Sequence, residues 1–205
     1  PAIIGSGPTI SDDPNVRNLW VATPAENARF LCQIAQQDGF VAQWNPESYS
    51  GPIGEVSRRM VADLEAAAAA VCAHPLHTAQ VRIWHGESQV RVEGDGNGGR
   101  NQHLALLLCE DLARISTHHQ CAITLLSAGT DGIDGNTSAA GAICDHQTAF
   151  FASEIGLSPQ DFLRRFDSGT FFSRLDRIFS PGPTGNNLMD LQIAIISKNA
   201  SGSDK

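Results

Sequence analysis

The clearest hydrophobic pattern along the chain is the stretch from Ile53 to Ala73. Apolar residues recur there at helical spacing, an Ala-rich run (EAAAAAV) follows, and His74-Pro75 closes it. Before it, Leu19–Thr23 (LWVAT) reads as a short buried strand. An amphipathic helix then opens at Pro24 and stops at Asp38-Gly39, and Phe40–Trp44 reads as a second strand. This strand–helix alternation predicts a parallel sheet covered by helices, with a Pro/Ser/Gly loop before Ile53.

From Ala79 the pattern changes. VRIWHGESQVRVEG reads as two short strands broken at Gly86, the second alternating through Val90 and Val92. The loop Gly94–Gly99 leads into the helical run NQHLALLLCEDLARI. Cys121–Ser127 is a strand, and AGTDGIDGNTSAAG is a second glycine loop. Helical segments are expected at Thr148–Ile155 and Pro159–Phe166, and a third glycine loop, Pro181–Asn187, precedes a strand at Leu191–Ile196. The last seven residues, NASGSDK, read as a disordered tail. A domain boundary is expected between His74 and Thr78, giving an α/β chain of two units.

Charge narrows the function. The 205 residues carry 14 Lys+Arg against 22 Asp+Glu, a net charge of −8, which argues against nucleic acid or an anionic membrane as partner. Only two of the basic residues are lysines, Lys198 and Lys205, so a catalytic lysine inside the fold is not expected. Five dispersed cysteines without a C-x-x-C pair suit reduced thiols in a cytoplasmic protein. No apolar run reaches membrane-span length.

Three glycine loops beside strand ends, each with polar residues, favour a ligand site over simple turns. Gly94-x-Gly96-x-x-Gly99 matches the dinucleotide fingerprint, but the acidic residue expected further on is replaced by His118, His119 and Gln120. A Walker A reading would put Arg100 for Lys and Asn101 for Ser/Thr, and an EF-hand reading fails at Arg100 and Leu106. Arg100 at a helix N-terminus can attract phosphate or carboxylate. It can equally pair with Glu87 or Glu93. Asp131 and Asp134 can converge on magnesium or take a hydroxyl proton, or serve as turn and capping residues. Asn186 and Asn187 can orient a ligand or simply occupy a turn. The histidines show no metal-ligand spacing, and neither a G-x-S-x-G elbow nor H-E-x-x-H occurs.

Four segments together resemble the glycerate 2-kinase family, whose C-terminal region is called the MOFRL domain. They are SGPTISDDP (6–14), GGRNQ (98–102), LSAGTDGIDGNTSAAGA (126–142) and GPTGNNLMDL (182–191), with HGES (85–88) where that family has a Gly-Gly-Glu-Thr-like strand turn. The resemblance implies an enzyme that transfers phosphate from ATP to the 2-hydroxyl of D-glycerate with Mg2+; relatives also carry the label hydroxypyruvate reductase, an NAD(P)H-dependent alternative. It implies that residues 1–76 are the C-terminal part of a Rossmann-like N-terminal domain and 77–205 a MOFRL-like domain. The family's N-terminal glycine loop and lysine have no counterpart here, so the isolated chain is expected to be inactive without an N-terminal domain in cis. The resemblance is compatible with a homo-oligomer.

By position, the resemblance makes Arg100, Asp131 and Asp134 the catalytic candidates, the two aspartates also being metal candidates. Gly98, Gly99, Asn101, Gln102, Thr184 and Asn187 become substrate- or phosphate-binding candidates. The chain departs from the family at His103 (usually Glu), His85 (Gly), Met189 (Asn) and Gly169 (Tyr in Asp-Ser-Tyr).

Overall fold

A computed structural model describes residues 13, 15, 22–74 and 79–199. Most of the expected strand at Leu19–Thr23, the segment 6–14 apart from Asp13, and the tail beyond Asn199 therefore lie outside the described residues. Ala22 and Thr23 are described and belong to no strand.

The chain forms an α/β fold around one seven-stranded sheet. Helix α1 (Pro24–Gln37) starts where the sequence suggests: Thr23 Oγ1 accepts the Glu26 N–H at 3.1 Å and donates to the Glu26 carboxylate, with Pro24 in the first turn. Strands β1 (Val41–Trp44) and β2 (Tyr49–Pro52) precede α2 (Ile53–Ala73), whose bounds are those read from the sequence. Strand β3 (Ala79–Gln89) and helix α3 (Arg100–His119) follow. Next come β4 (Cys121–Gly129) and β5 (Gly141–Asp145). The short helices α4 (Thr148–Glu154), α5 (Pro159–Arg164) and α6 (Ser168–Arg174) lead to β6 (Ile178–Phe179) and β7 (Asp190–Lys198).

The sheet order is β1-β3-β7-β4-β5-β6, with β2 also on β3. Parallel pairing is confined to β1 and β2, which take successive stretches of β3; the other pairings are antiparallel. The sheet runs without a break through elements on both sides of residue 76.

Three features differ from the sequence reading. Residues 79–89 form one strand rather than two, because Gly86 continues it: a β-carbon there would lie 2.1 Å from the Tyr49 carbonyl oxygen, so glycine lets β2 close onto β3. Val90 and Val92 lie beyond that strand. Strand β2 forms where a loop was expected, and β5, β6 and α6 form in stretches to which the sequence assigned no element.

One face of the sheet carries the main core. Leu64 and Val71 of α2, Leu108, Leu112 and Ile115 of α3, and Phe171 and Phe172 of α6 pack there on Ile123, Leu125, Ala194 and Ile196. Burying each large aliphatic side chain contributes roughly 1.5–3 kcal/mol. On the opposite face α1 covers β1 and β3 through Ala28 and Cys32 on Ala42, Val81 and Ile83. That cover is partial: Ile195, on central β7, remains 42% exposed. No described helix is long and apolar enough to cross a membrane.

Candidate active site

The N-terminus of α3 is built by two glycine loops that interlock. Gly99 is its N-cap and has no side chain to satisfy the first amides. Asp134, from the loop after β4, does so instead: Oδ1 accepts the Asn101 N–H at 3.0 Å and Oδ2 accepts the Gln102 N–H at 2.8 Å. The Asn101 side-chain amide also donates to Oδ1, at 3.3 Å. Gly98 donates its N–H to Asn136 Oδ1 at 2.8 Å. Gly135, at φ 63°, fits only without a β-carbon, which would stand 2.3 Å from the Gly98 carbonyl oxygen. Burial pushes the Asp134 carboxyl up to about 6, against the hydrogen bonds from Gln102 and Asn101.

Arg100, the first residue of α3, is held by two carboxylates. Nε and Nη2 form a bidentate pair with Asp190, at 2.6 and 3.0 Å, and Nη1 donates to Glu87 at 2.6 Å. Glu93 is not its partner; that carboxylate pairs with Arg91. Burial works to lower the Arg100 pKa, but Asp190 and Glu87 outweigh it and raise it above its ordinary value. Asp190 is 1% exposed and its carboxyl is raised by burial, with Arg100 pulling the other way.

Beneath this pair runs a buried polar chain. Asn101 Oδ1 accepts from Ser127 Oγ at 3.0 Å and from Gln192 Nε2 at 3.1 Å. These bonds fasten the start of α3 to β4 and β7.

A cleft of about 1010 Å³ opens over this assembly. Of the catalytic and binding candidates, Gly98, Gly99, Arg100, Asp131 and Asp134 line it, and so does the fingerprint residue Gly96. Asn101 and Gln102 are buried below it; Gln102 donates to Thr137 Oγ1 at 3.1 Å. Thr184 and Asn187 do not line the cleft. Thr184 Oγ1 donates to the Thr130 carbonyl at 2.6 Å, and Asn187 Oδ1 accepts the Met189 N–H at 3.1 Å, so both brace the loop leading to β7. Asp131 Oδ1 accepts the Ile133 N–H at 3.0 Å, a local turn bond.

The two remaining fingerprint glycines serve packing. A β-carbon on Gly94 or Gly96 would strike the backbone of Arg165 or Phe166, and the Gly96 N–H donates to the Arg165 carbonyl at 3.2 Å. Residues that the sequence reading passed over also belong here: Asp190, Asn136, Gln192, Ser127 and Phe166. Asp190 carried a signal by standing inside the segment GPTGNNLMDL, as did Ser127 and Asn136 inside LSAGTDGIDGNTSAAGA; Gln192 and Phe166 carried none. His103 lines the cleft, its ring stacked on Phe166 at 5.1 Å and its pKa lowered by burial.

The chain is 41% identical to the D-glycerate 2-kinase of Thermotoga maritima over 122 residues, 60% of this chain and 28% of that protein. It is 27% identical to the glycerate 2-kinase of Pyrococcus horikoshii over 191 residues, 92% of this chain and 42% of that protein. The crystal structure of a glycerate kinase from Thermotoga maritima superposes with a TM-score of 0.75 at 33% identity, over 85% of this chain and 40% of that one. The chain thus spans less than half the length of each of these relatives. The MOFRL family model matches residues 80–190, more than half of the chain and the whole stretch from Arg100 to Asp190. With the interlocked loops falling inside that match, the chain belongs to the MOFRL family.

Proposed function

We propose that the chain forms part of a phosphotransferase of the glycerate 2-kinase type, moving the γ-phosphate of ATP to the 2-hydroxyl of D-glycerate. One observation carries the reading: the interlock leaves the α3 N-terminus facing a cleft, and the N–H groups of Gly99 and Arg100 make no hydrogen bond among the described residues. Such donors at a 20-residue helix, beside a guanidinium, suit a carboxylate or phosphate oxygen. The names of the relatives support the choice of glycerate and of a kinase.

Phosphoryl transfer requires positioning and neutralisation of charge. Asp190 and Glu87 fix the Arg100 guanidinium in direction, so it meets the ligand without reorganising. Asp131 is the carboxylate of the cleft available to take the proton from the attacking hydroxyl. Asp134 is not, since both of its oxygens already hold α3. For the same reason Asp134 does not fit a magnesium ligand, and no cluster of three His, Cys, Asp or Glu suited to a metal occurs among the described residues. No step is therefore assigned to a metal held by these side chains.

The described residues lining the cleft include Glu87, Asp131 and Asp134 but a single arginine. A triphosphate needs further positive charge, and the described lysine, Lys198, donates to the His74 carbonyl and does not line the cleft. In this reading that charge comes from a polypeptide region corresponding to the rest of the longer relatives. The hydroxypyruvate reductase alternative loses its support where Gly94 and Gly96 pack against protein backbone instead of an open phosphate loop.

The test is ATP-dependent phosphorylation of D-glycerate, with the product position read by NMR. The chain is assayed alone and combined with the N-terminal region of the Thermotoga relative. Transfer in the combination, lost with Arg100→Ala, is expected. No transfer in any combination overturns the reading.

A further inference from the structure

His103 lies one turn beyond Arg100 on α3, so the two side chains share a face of the helix. The His103 side chain makes no hydrogen bond among the described residues, and the residue is 8% exposed. It stacks nearly parallel on Phe166, with 5.1 Å between centroids and 9° between planes. Phe166 sits between α5 and α6 at φ 55°, a left-handed backbone that a bulky residue seldom adopts. The surroundings enforce it: the Phe166 N–H reaches the Leu163 carbonyl at 3.1 Å, and the loop at Gly96 presses on the Phe166 carbonyl with no room for a β-carbon.

Both rings line the cleft, and neither belongs to the main core cluster. Val90 and Val92 line the same cleft, and Val92 is 65% exposed. They lead into the loop tied to α5 and α6 through Gly96 on the Arg165 carbonyl and the Asn97 N–H on Asp167 Oδ1. The cleft therefore has an anion-seeking end at Gly99 and Arg100. One turn away along α3 it has a flat aromatic wall with branched aliphatic neighbours. A three-carbon acid uses the first and has nothing to set against the second.

We propose that Phe166, backed by His103, is the wall on which the flat ring of a nucleoside stacks, its phosphate side directed along α3 toward Gly99 and Arg100. A planar heterocycle offset on an aromatic face gains from both apolar burial and ring–ring geometry. The choice of a nucleoside rests on the phosphoryl-transfer reading above; the wall itself rests on the rings.

The test is direct binding of adenosine, ADP and inorganic tripolyphosphate to the chain, followed by calorimetry. Variants Phe166→Leu, which keeps apolar volume but removes the plane, and Phe166→Trp, which keeps the plane, are compared with the wild type. Thermal melts confirm that each is folded. Adenosine and ADP are expected to bind the wild type and Phe166→Trp, and to bind Phe166→Leu about tenfold more weakly or worse. Tripolyphosphate should not distinguish the three proteins. Adenosine binding that ignores Phe166→Leu, or absent from the wild type, overturns the proposal even if phosphate is transferred to glycerate. Adenosine binding that depends on the plane, with no transfer in any combination, keeps the wall and removes the kinase reading.

Discussion

Asp134 occupies the space that a side chain on Gly99 would fill. A β-carbon at Gly99 would stand 2.3 Å from Asp134 Oδ1 and 2.4 Å from its backbone carbonyl carbon. The bare N-cap and the distant carboxylate are therefore one device: the helix gives up its own capping side chain and takes a buried acid from 33 residues beyond Asn101.

Gly99→Ala and Gly135→Ala should each destabilise by about 3 kcal/mol, because the obstacle includes fixed backbone on the other loop in both cases. Gly156→Ala is the comparison. Gly156, like Gly135, has positive φ (73°), but nothing lies within 4 Å of its β-carbon position, so its cost is backbone strain alone and should be smaller, about 1 kcal/mol. Urea unfolding measures all three, and equal losses would remove the interlock as the cause.

Asp134→Ala leaves the Asn101 and Gln102 amides, both buried, without acceptors. A loss of about 2 kcal/mol at neutral pH is expected by chemical denaturation. Amide exchange at Asn101 and Gln102 should accelerate more than at Leu108 in the middle of the helix.

The same residue gives a pH signature. Asp134 titrates at about 6 when folded, while an unfolded aspartate titrates near ~3.9. The folded state thus holds the proton more tightly. This contribution is complete below the unfolded value and disappears as pH rises through about 6. The stability gap between wild type and Asp134→Ala should therefore widen as pH falls from 7 to 4, by on the order of 2 kcal/mol. A gap that stays flat would refute the raised pKa.

Asp190 and Arg100 should show unequal single losses. Arg100→Ala strands a nearly inaccessible carboxylate and is expected to cost about 3 kcal/mol. Asp190→Asn leaves an arginine that is 36% exposed and still paired with Glu87, so about 1–2 kcal/mol is expected. The double variant should lose less than the two singles together. Strict additivity in urea unfolding would mean that the pair does not act as a unit.

What the sequence disclosed and what it hid divide by range. Helix α2 was readable to its ends because its signals are local: apolar spacing, an alanine run, then His74-Pro75. The loops at Gly94–Gly99 and Asp131–Gly135 were readable as polar glycine loops at the ends of buried elements. Their contact with each other was not, since nothing near Gly99 announces that its cap lies at Asp134. Strand β2 was hidden because Gly51 and Pro52 are turn residues, and only its pairing with β3 makes that stretch extended. Glu87 was among the stated partners of Arg100 and does pair with it, but the stronger partner, Asp190, lies 90 residues away. Phe166 could not have been found from local signals, because a phenylalanine at positive φ breaks the backbone preference that sequence reading relies on.

The position of β7 bears on how the protein comes to exist as well as on its final form. It follows every other described strand in the chain, yet it lies between β3 and β4 and carries Asp190 and Gln192 to the start of α3. During synthesis the two halves of the sheet must wait, edges unpaired, until that strand arrives. The same closing step that joins them also locks Arg100 in place. Loss of β7 would therefore leave not a stable protein with a damaged site but a chain that never acquires either.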